Sequence, residues 1–119
     1  KTFIAELKGG VVTTYSIHPE ELGFGLGNLS DIKVDDAEGS LSLIKEAFSG
    51  QNGTAKDIIS LNAGAAIYVS GLTTSLQSGV DRANQALSNG SAQKKLDDYV
   101  KASTVRAAMN KKTNLIWID

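Results

Sequence analysis

The chain reads as an α/β fold, or as α+β when taken as an isolated piece: an N-terminal β-hairpin followed by about four helices. Two observations predict it. Two β-prone runs, 2–7 and 11–17, flank Lys8-Gly9-Gly10, and a glycine pair between such runs supplies the positive φ angles of a tight hairpin. Downstream, three helical segments each stop at a glycine, the residue best suited to the left-handed position that ends a helix.

The elements follow in order. His18-Pro19-Glu20-Glu21-Leu22-Gly23 predicts one helical turn, with Pro19 preset at its first position, acids at its N-terminus and Gly23 closing it. Residues 23–36 lose periodicity and read as a loop, with Gly23, Gly25 and Gly27 among Asn28, Ser30 and Asp31. Helices are expected over about 37–49, 54–70 and 75–89, ending at Gly50, Gly71 and Gly90, and a fourth from Ser91 to about Ala108. Leu41, Ile44 and Phe48 in the first, and Ile58, Leu61 and Ala65 in the second, recur at spacings of three and four. The run Ala63-Gly64-Ala65-Ala66 has side chains small enough to let another backbone come close. Residues 109–119 are expected to be an extended tail, of which 113–119 reads as a last short strand or as an extended segment docked through Trp117. The organisation is thus a single or partial domain over 1–119: hairpin 1–17, loop 23–36, helices 37–108, tail 109–119.

Composition narrows the function classes. The 119 residues carry a formal net charge of −1, with 41% hydrophobic content, enough for one domain and without the basic excess of a nucleic-acid binder. Residues 91–119 tilt basic, as a solvated helix face would. There is no cysteine, which rules out disulfides and thiolate metal sites and fits a reducing compartment, so cytoplasm is the expected location. No apolar run approaches the roughly 20 residues of a membrane span, and no membrane partner is expected. Lys1 stands where an initiator Met would, and a strand begins at once, which points to truncation or processing.

Each chemistry-bearing candidate has a plainer structural reading. Gly23-Phe24-Gly25-Leu26-Gly27 invites a phosphate loop, but it lacks the preceding buried strand and the helix start that such a loop needs. His18, the only histidine, precedes a helical turn and reads as a surface or capping residue. Asp35, Asp36 and Glu38 offer oxygen ligands for Mg²⁺, yet Asp36 sits where an N-cap belongs. Asp97-Asp98 beside Lys94-Lys95 reads as a salt-laced face. The expectation is no catalytic, substrate-binding or metal residue in this chain, and no cofactor.

The order of elements and their residues together resemble the C-terminal segment of the anthranilate phosphoribosyltransferase family, from about Thr2 to about Ala102. Its most specific parts are Ala5-Glu6-Leu7-Lys8-Gly9-Gly10 with residues 18–23, then Asp36-Ala37-Glu38, Leu61 to Gly71, and Ser75 to Gly90 followed by Ala92 and Leu96. The resemblance implies the C-terminal part of a phosphoribosyltransferase α/β domain. That enzyme transfers phosphoribosyl from phosphoribosyl pyrophosphate to anthranilate in tryptophan biosynthesis, with Mg²⁺. Its diphosphate loop, basic segment, anthranilate arginine and Asp-Glu metal pair have no match here. The resemblance therefore implies a fragment, inactive alone, whose partner is the missing N-terminal part and whose substrates are met only in the complete enzyme. Self-association by exchange of the hairpin is also expected, since unpaired strand edges recruit partners. The alternative is a stand-alone interaction or structural module derived from that domain. Residues 103–119 match the family less well.

Overall fold

The computed structural model describes residues 1–112, the side chain of Lys112 excepted. Strands β1 (Thr2–Lys8) and β2 (Val11–Ile17) pair antiparallel, from Lys8 opposite Val11 to Thr2 opposite Ile17. Gly9 and Gly10 turn the chain at φ +58° and +80°, the positive pair of a type I′ turn, whose twist matches that of the flanking strands. A 3₁₀ turn at Pro19–Leu22 follows, closed by Gly23, and a second at Leu29–Ile32 interrupts the loop.

The helices are α1 (Ala37–Phe48), α2 (Thr54–Val69), α3 (Leu76–Ser88) and α4 (Ser91–Lys112). Local chemistry sets their starts. The Asp36 carboxylate accepts the Gly39 N–H at 2.7 Å, and the Ser75 hydroxyl accepts that of Ser78 at 3.1 Å, each satisfying an orphan donor of the first turn. The first three helices match the expected hairpin-then-helices order.

α4 corrects one expectation. It continues through residues 109–112, where an extended tail was expected, because Met109, Asn110, Lys111 and Lys112 include no glycine or proline and Met and Lys favour helix. The extended segment expected for 113–119, with Trp117, lies outside the described residues.

The core lies where α2 crosses α3. A Cβ on Gly64 would sit 2.6 Å from both the N and the Cα of Val80, and one on Gly79 would strike the Gly64 carbonyl oxygen. The small-residue run therefore brings two backbones into contact, as its composition predicts. Val80 is fully buried, with Ala83 and Leu87 on the same helix and Ala47 of α1 alongside. Ser60, also fully buried, donates to the Asn84 side-chain carbonyl at 2.7 Å across the crossing.

The rest is open. The accessible surface is 9021 Å², against about 6200 Å² for a compact monomer of this mass. The radius of gyration is 18.0 Å, against about 13.5 Å for a globular chain of this length. The hairpin stands off from the helices, and Phe3, Leu7, Val11 and Val12 are exposed. No helix among the described residues is long and apolar enough to cross a membrane.

Candidate functional site

Side chains alternate across a strand, so Ile4, Glu6 and Lys8 of β1 share a face with Tyr15 and Ile17 of β2. That face looks toward the Ile58, Leu61, Ala65 and Tyr68 side of α2, and a cleft of about 850 Å³ separates them. Its walls are mostly apolar.

One polar cluster bridges the cleft. The Tyr68 hydroxyl donates to Glu6 Oε1 at 2.5 Å, the Tyr15 hydroxyl to Glu6 Oε2 at 3.2 Å, and Lys8 Nζ to the Tyr68 oxygen at 3.5 Å. Lys8 Nζ also lies 5.5 Å from the Tyr68 ring centre, within cation–π range. The Tyr68 hydrogen bond holds the Glu6 carboxyl below its ordinary range; desolvation opposes this, and Tyr15 and Lys8 reinforce it. Partial burial pushes the Tyr15 phenol up, with the Glu6 carboxylate adding to the shift. The result is an ionised carboxylate whose two oxygens each accept a hydrogen bond from a phenol hydroxyl. It fastens the hairpin to α2 and leaves Glu6 poorly suited to exchange protons near neutrality.

Residues singled out in the sequence lie elsewhere and apart. Gly27 abuts the start of α2, where a Cβ would lie 2.5 Å from Thr54 Oγ1. Asp31 accepts the Thr54 hydroxyl at 3.1 Å and the Asn28 N–H at 3.3 Å. The glycine loop is thus a seam onto α2. His18 is exposed; its N–H donates to the Glu21 carboxylate at 3.0 Å, and its carbonyl accepts the Glu21 N–H at 3.1 Å. Lys94 and Asp98 pair at 2.7 Å on the exposed face of α4. Among the described residues, no group of three or more His, Cys, Asp or Glu side chains is placed to hold a metal ion.

The Glu6 cluster escaped the reading from sequence, since Glu6 and Tyr68 are 62 positions apart. The available signal was an acid on the same strand face as Ile4.

Comparison with known proteins adds a second line. Residues 1–93 match the glycosyl transferase family, a/b domain. The chain is 54% identical over 103 residues to the anthranilate phosphoribosyltransferase of Ruthia magnifica subsp. Calyptogena magnifica, an alignment covering 87% of this chain and 30% of that protein. It is 53% identical over 103 residues to that of Vesicomyosocius okutanii subsp. Calyptogena okutanii (strain HA), with the same coverage. With the Methylococcus capsulatus (strain ATCC 33009 / NCIMB 11132 / Bath) enzyme the identity is 41% over 107 residues, 90% of this chain and 31% of the relative. The chain spans about 30% of the length of the curated relatives it matches. It belongs to the glycosyl transferase family, a/b domain.

Proposed function

From that membership we propose that the chain is part of an anthranilate phosphoribosyltransferase, an enzyme that transfers the phosphoribosyl group of phosphoribosyl pyrophosphate to anthranilate in tryptophan biosynthesis. The observation that carries the reading is the 54% identity sustained over 87% of the chain. The open architecture agrees with it: an 850 Å³ apolar cleft and an exposed hairpin are what a sheet-and-helix layer shows before its neighbouring layer is in place.

Alone, the chain is inactive in this reading. Its ionisable groups serve as caps and fasteners: Asp36 on Gly39, Asp31 on Thr54, Glu6 on Tyr68 and Tyr15. Mg²⁺, implied for the complete enzyme, finds no fitting donor set among the described residues. The contribution of this chain is support: α2 and α3 form a rigid block that holds the hairpin, and the hairpin and cleft receive the remainder of the enzyme. The setting is the cytoplasm, and in the absence of the remainder the exposed surface promotes self-association.

The test is the decay of anthranilate fluorescence with phosphoribosyl pyrophosphate and Mg²⁺. The purified chain gives none, and adding the complementary portion of the enzyme restores it. Decay with the chain alone contradicts the assignment. A monodisperse monomer that binds no hydrophobic dye and gains nothing from the complementary portion favours a stand-alone module instead.

A further inference from the structure

The sequence holds two Asn-Gly pairs, Asn52-Gly53 and Asn89-Gly90, both exposed. In such a pair the chain can attack its own side chain, because glycine has no Cβ to shield its nitrogen. A Cβ built on either glycine would meet nothing within 4 Å. The two pairs therefore offer the same local chemistry, and the fold sets them apart.

Asn89 closes α3, with φ −90° and ψ 0°. Its N–H donates to the Gln85 carbonyl at 3.0 Å, its Oδ1 accepts the Ser91 N–H at 2.9 Å, and the Gly90 carbonyl accepts the Lys94 N–H at 3.0 Å. Turning the Gly90 nitrogen onto the Asn89 side-chain carbon would break bonds that stop one helix and start the next. Asn52 lies in the link between α1 and α2, where, among the described residues, no hydrogen bond holds the N–H of Gln51, Asn52 or Gly53. Its Oδ1 accepts from Lys56 Nζ at 2.9 Å, and the Gly50 carbonyl accepts from the same ammonium at 3.3 Å. Lys56 is half-buried in the first turn of α2. The donor on Asn89 Oδ1 is fixed backbone, whereas the donor on Asn52 Oδ1 ends a flexible stem and can follow the carbonyl as it turns.

We propose that Asn52 is a self-modification site, where the chain converts its own side-chain amide to aspartate and isoaspartate with Lys56 assisting. The Gly53 nitrogen gives its proton to solvent base and bonds to Asn52 Cγ. The carbonyl electron pair moves onto Oδ1, where the Lys56 ammonium stabilises the oxyanion. As the pair returns, the Cγ–Nδ2 bond breaks, and Nδ2 takes a proton from water and leaves as ammonia. Water then opens the succinimide at either carbonyl. Opening at Cγ leaves an aspartate facing Lys56. Opening at the main-chain carbonyl leaves isoaspartate, which inserts a methylene into the backbone just ahead of α2. The reaction needs no partner and no reactant but water, so the proposal stands apart from the catalytic assignment.

Incubation of the 119-residue chain in mildly alkaline buffer, followed by peptide mass mapping, reads both sites at once, since each conversion replaces an NH₂ with an OH. In the folded chain Asn52 is expected to convert well ahead of Asn89. Lys56→Met should slow Asn52 by about tenfold, less than the roughly 10²–10³ of a preorganised oxyanion donor because this site is open to water, and Lys56→Arg should keep most of the rate. In urea, where both sites are released, the two rates should converge. Asn89 doubles as a folding reporter: should Lys56→Met fail to fold, Asn89 speeds up, and Lys56→Arg with the urea comparison decides. Equal rates at the two sites in the folded chain overturn the proposal. So does an unchanged Asn52 rate in folded Lys56→Met, or a preference for Asn52 that persists in urea, which would assign it to the flanking residues instead of the fold.

Discussion

The α2–α3 crossing and the hairpin are built from sequence of similar apolar proportion, about half of the residues in each, yet one is closed and the other open. At the crossing, Gly64 and Gly79 let two backbones touch, Val80 is 0% exposed, and the fully buried Ser60 hydroxyl has its partner. At the hairpin, Phe3 is 79% exposed and Val12 65%. A bridged cleft, not a packed seam, separates the inner face from α2. Interiors are close-packed wherever a chain supplies both sides of a contact. The difference therefore marks where this chain supplies both sides and where it supplies one.

Changes at the closed region have the largest effects. Gly79→Ala drives a methyl group into the Gly64 carbonyl between two rigid helices, and is expected to cost about 3 kcal/mol, read as a large fall in Tm. Next comes Ser60→Ala, which leaves the Asn84 carbonyl without its buried donor and should cost about 1–3 kcal/mol. Asp36→Ala removes the cap of α1, at about 1 kcal/mol by denaturant titration.

The smallest global effect belongs to the open region. Tyr68→Phe removes the donor that fastens the hairpin and should leave Tm almost unchanged, while amide exchange in β1 and β2 speeds up. The pH dependence of that fastening follows from its two shifted groups. Glu6 is lowered in the fold, so its contribution is full above 4.5, its ordinary value, and is lost as pH falls through the folded value. Tyr15 is raised, so its contribution is full below 10.0 and is lost as pH rises through the folded value. Tyrosine near-UV circular dichroism should thus report an attached hairpin across neutral pH and a released one at either extreme. Glu6→Gln should abolish the acid limb. A loss of helical signal parallel to the tyrosine signal would mean that the two regions are one cooperative unit.

What the sequence made legible follows the same division. Asp36 and Ser75 announce helix starts, and Gly50, Gly71 and Gly90 announce stops, because caps and left-handed positions are set by a few adjacent residues; all three glycines have φ near +80°. Ala63-Gly64-Ala65-Ala66 could be read as a close crossing since small side chains have few other uses in a helix. Its partner at Gly79 could not be identified, because pairing Gly64 with Gly79 is a tertiary choice. The end of α4 was misplaced for want of any breaker through Lys112. The Glu6–Tyr68 bridge was invisible for a related reason: neither residue is unusual on its element, and only the fold puts strand and helix face to face. The small glycine loop was legible as irregular, but its attachment to Thr54 through Asp31 again depends on tertiary placement.

Native-state hydrogen exchange on the dilute chain tests the central claim most directly, since it reads each amide's opening free energy separately. The account predicts two tiers. Amides around Ser60, Gly64, Val80 and Ala83 should exchange only through global unfolding, whereas those of β1 and β2 should exchange through local opening far below that limit. Uniform protection of hairpin and crossing would contradict it, because it would show that the hairpin is already held as firmly as the core by contacts within this chain.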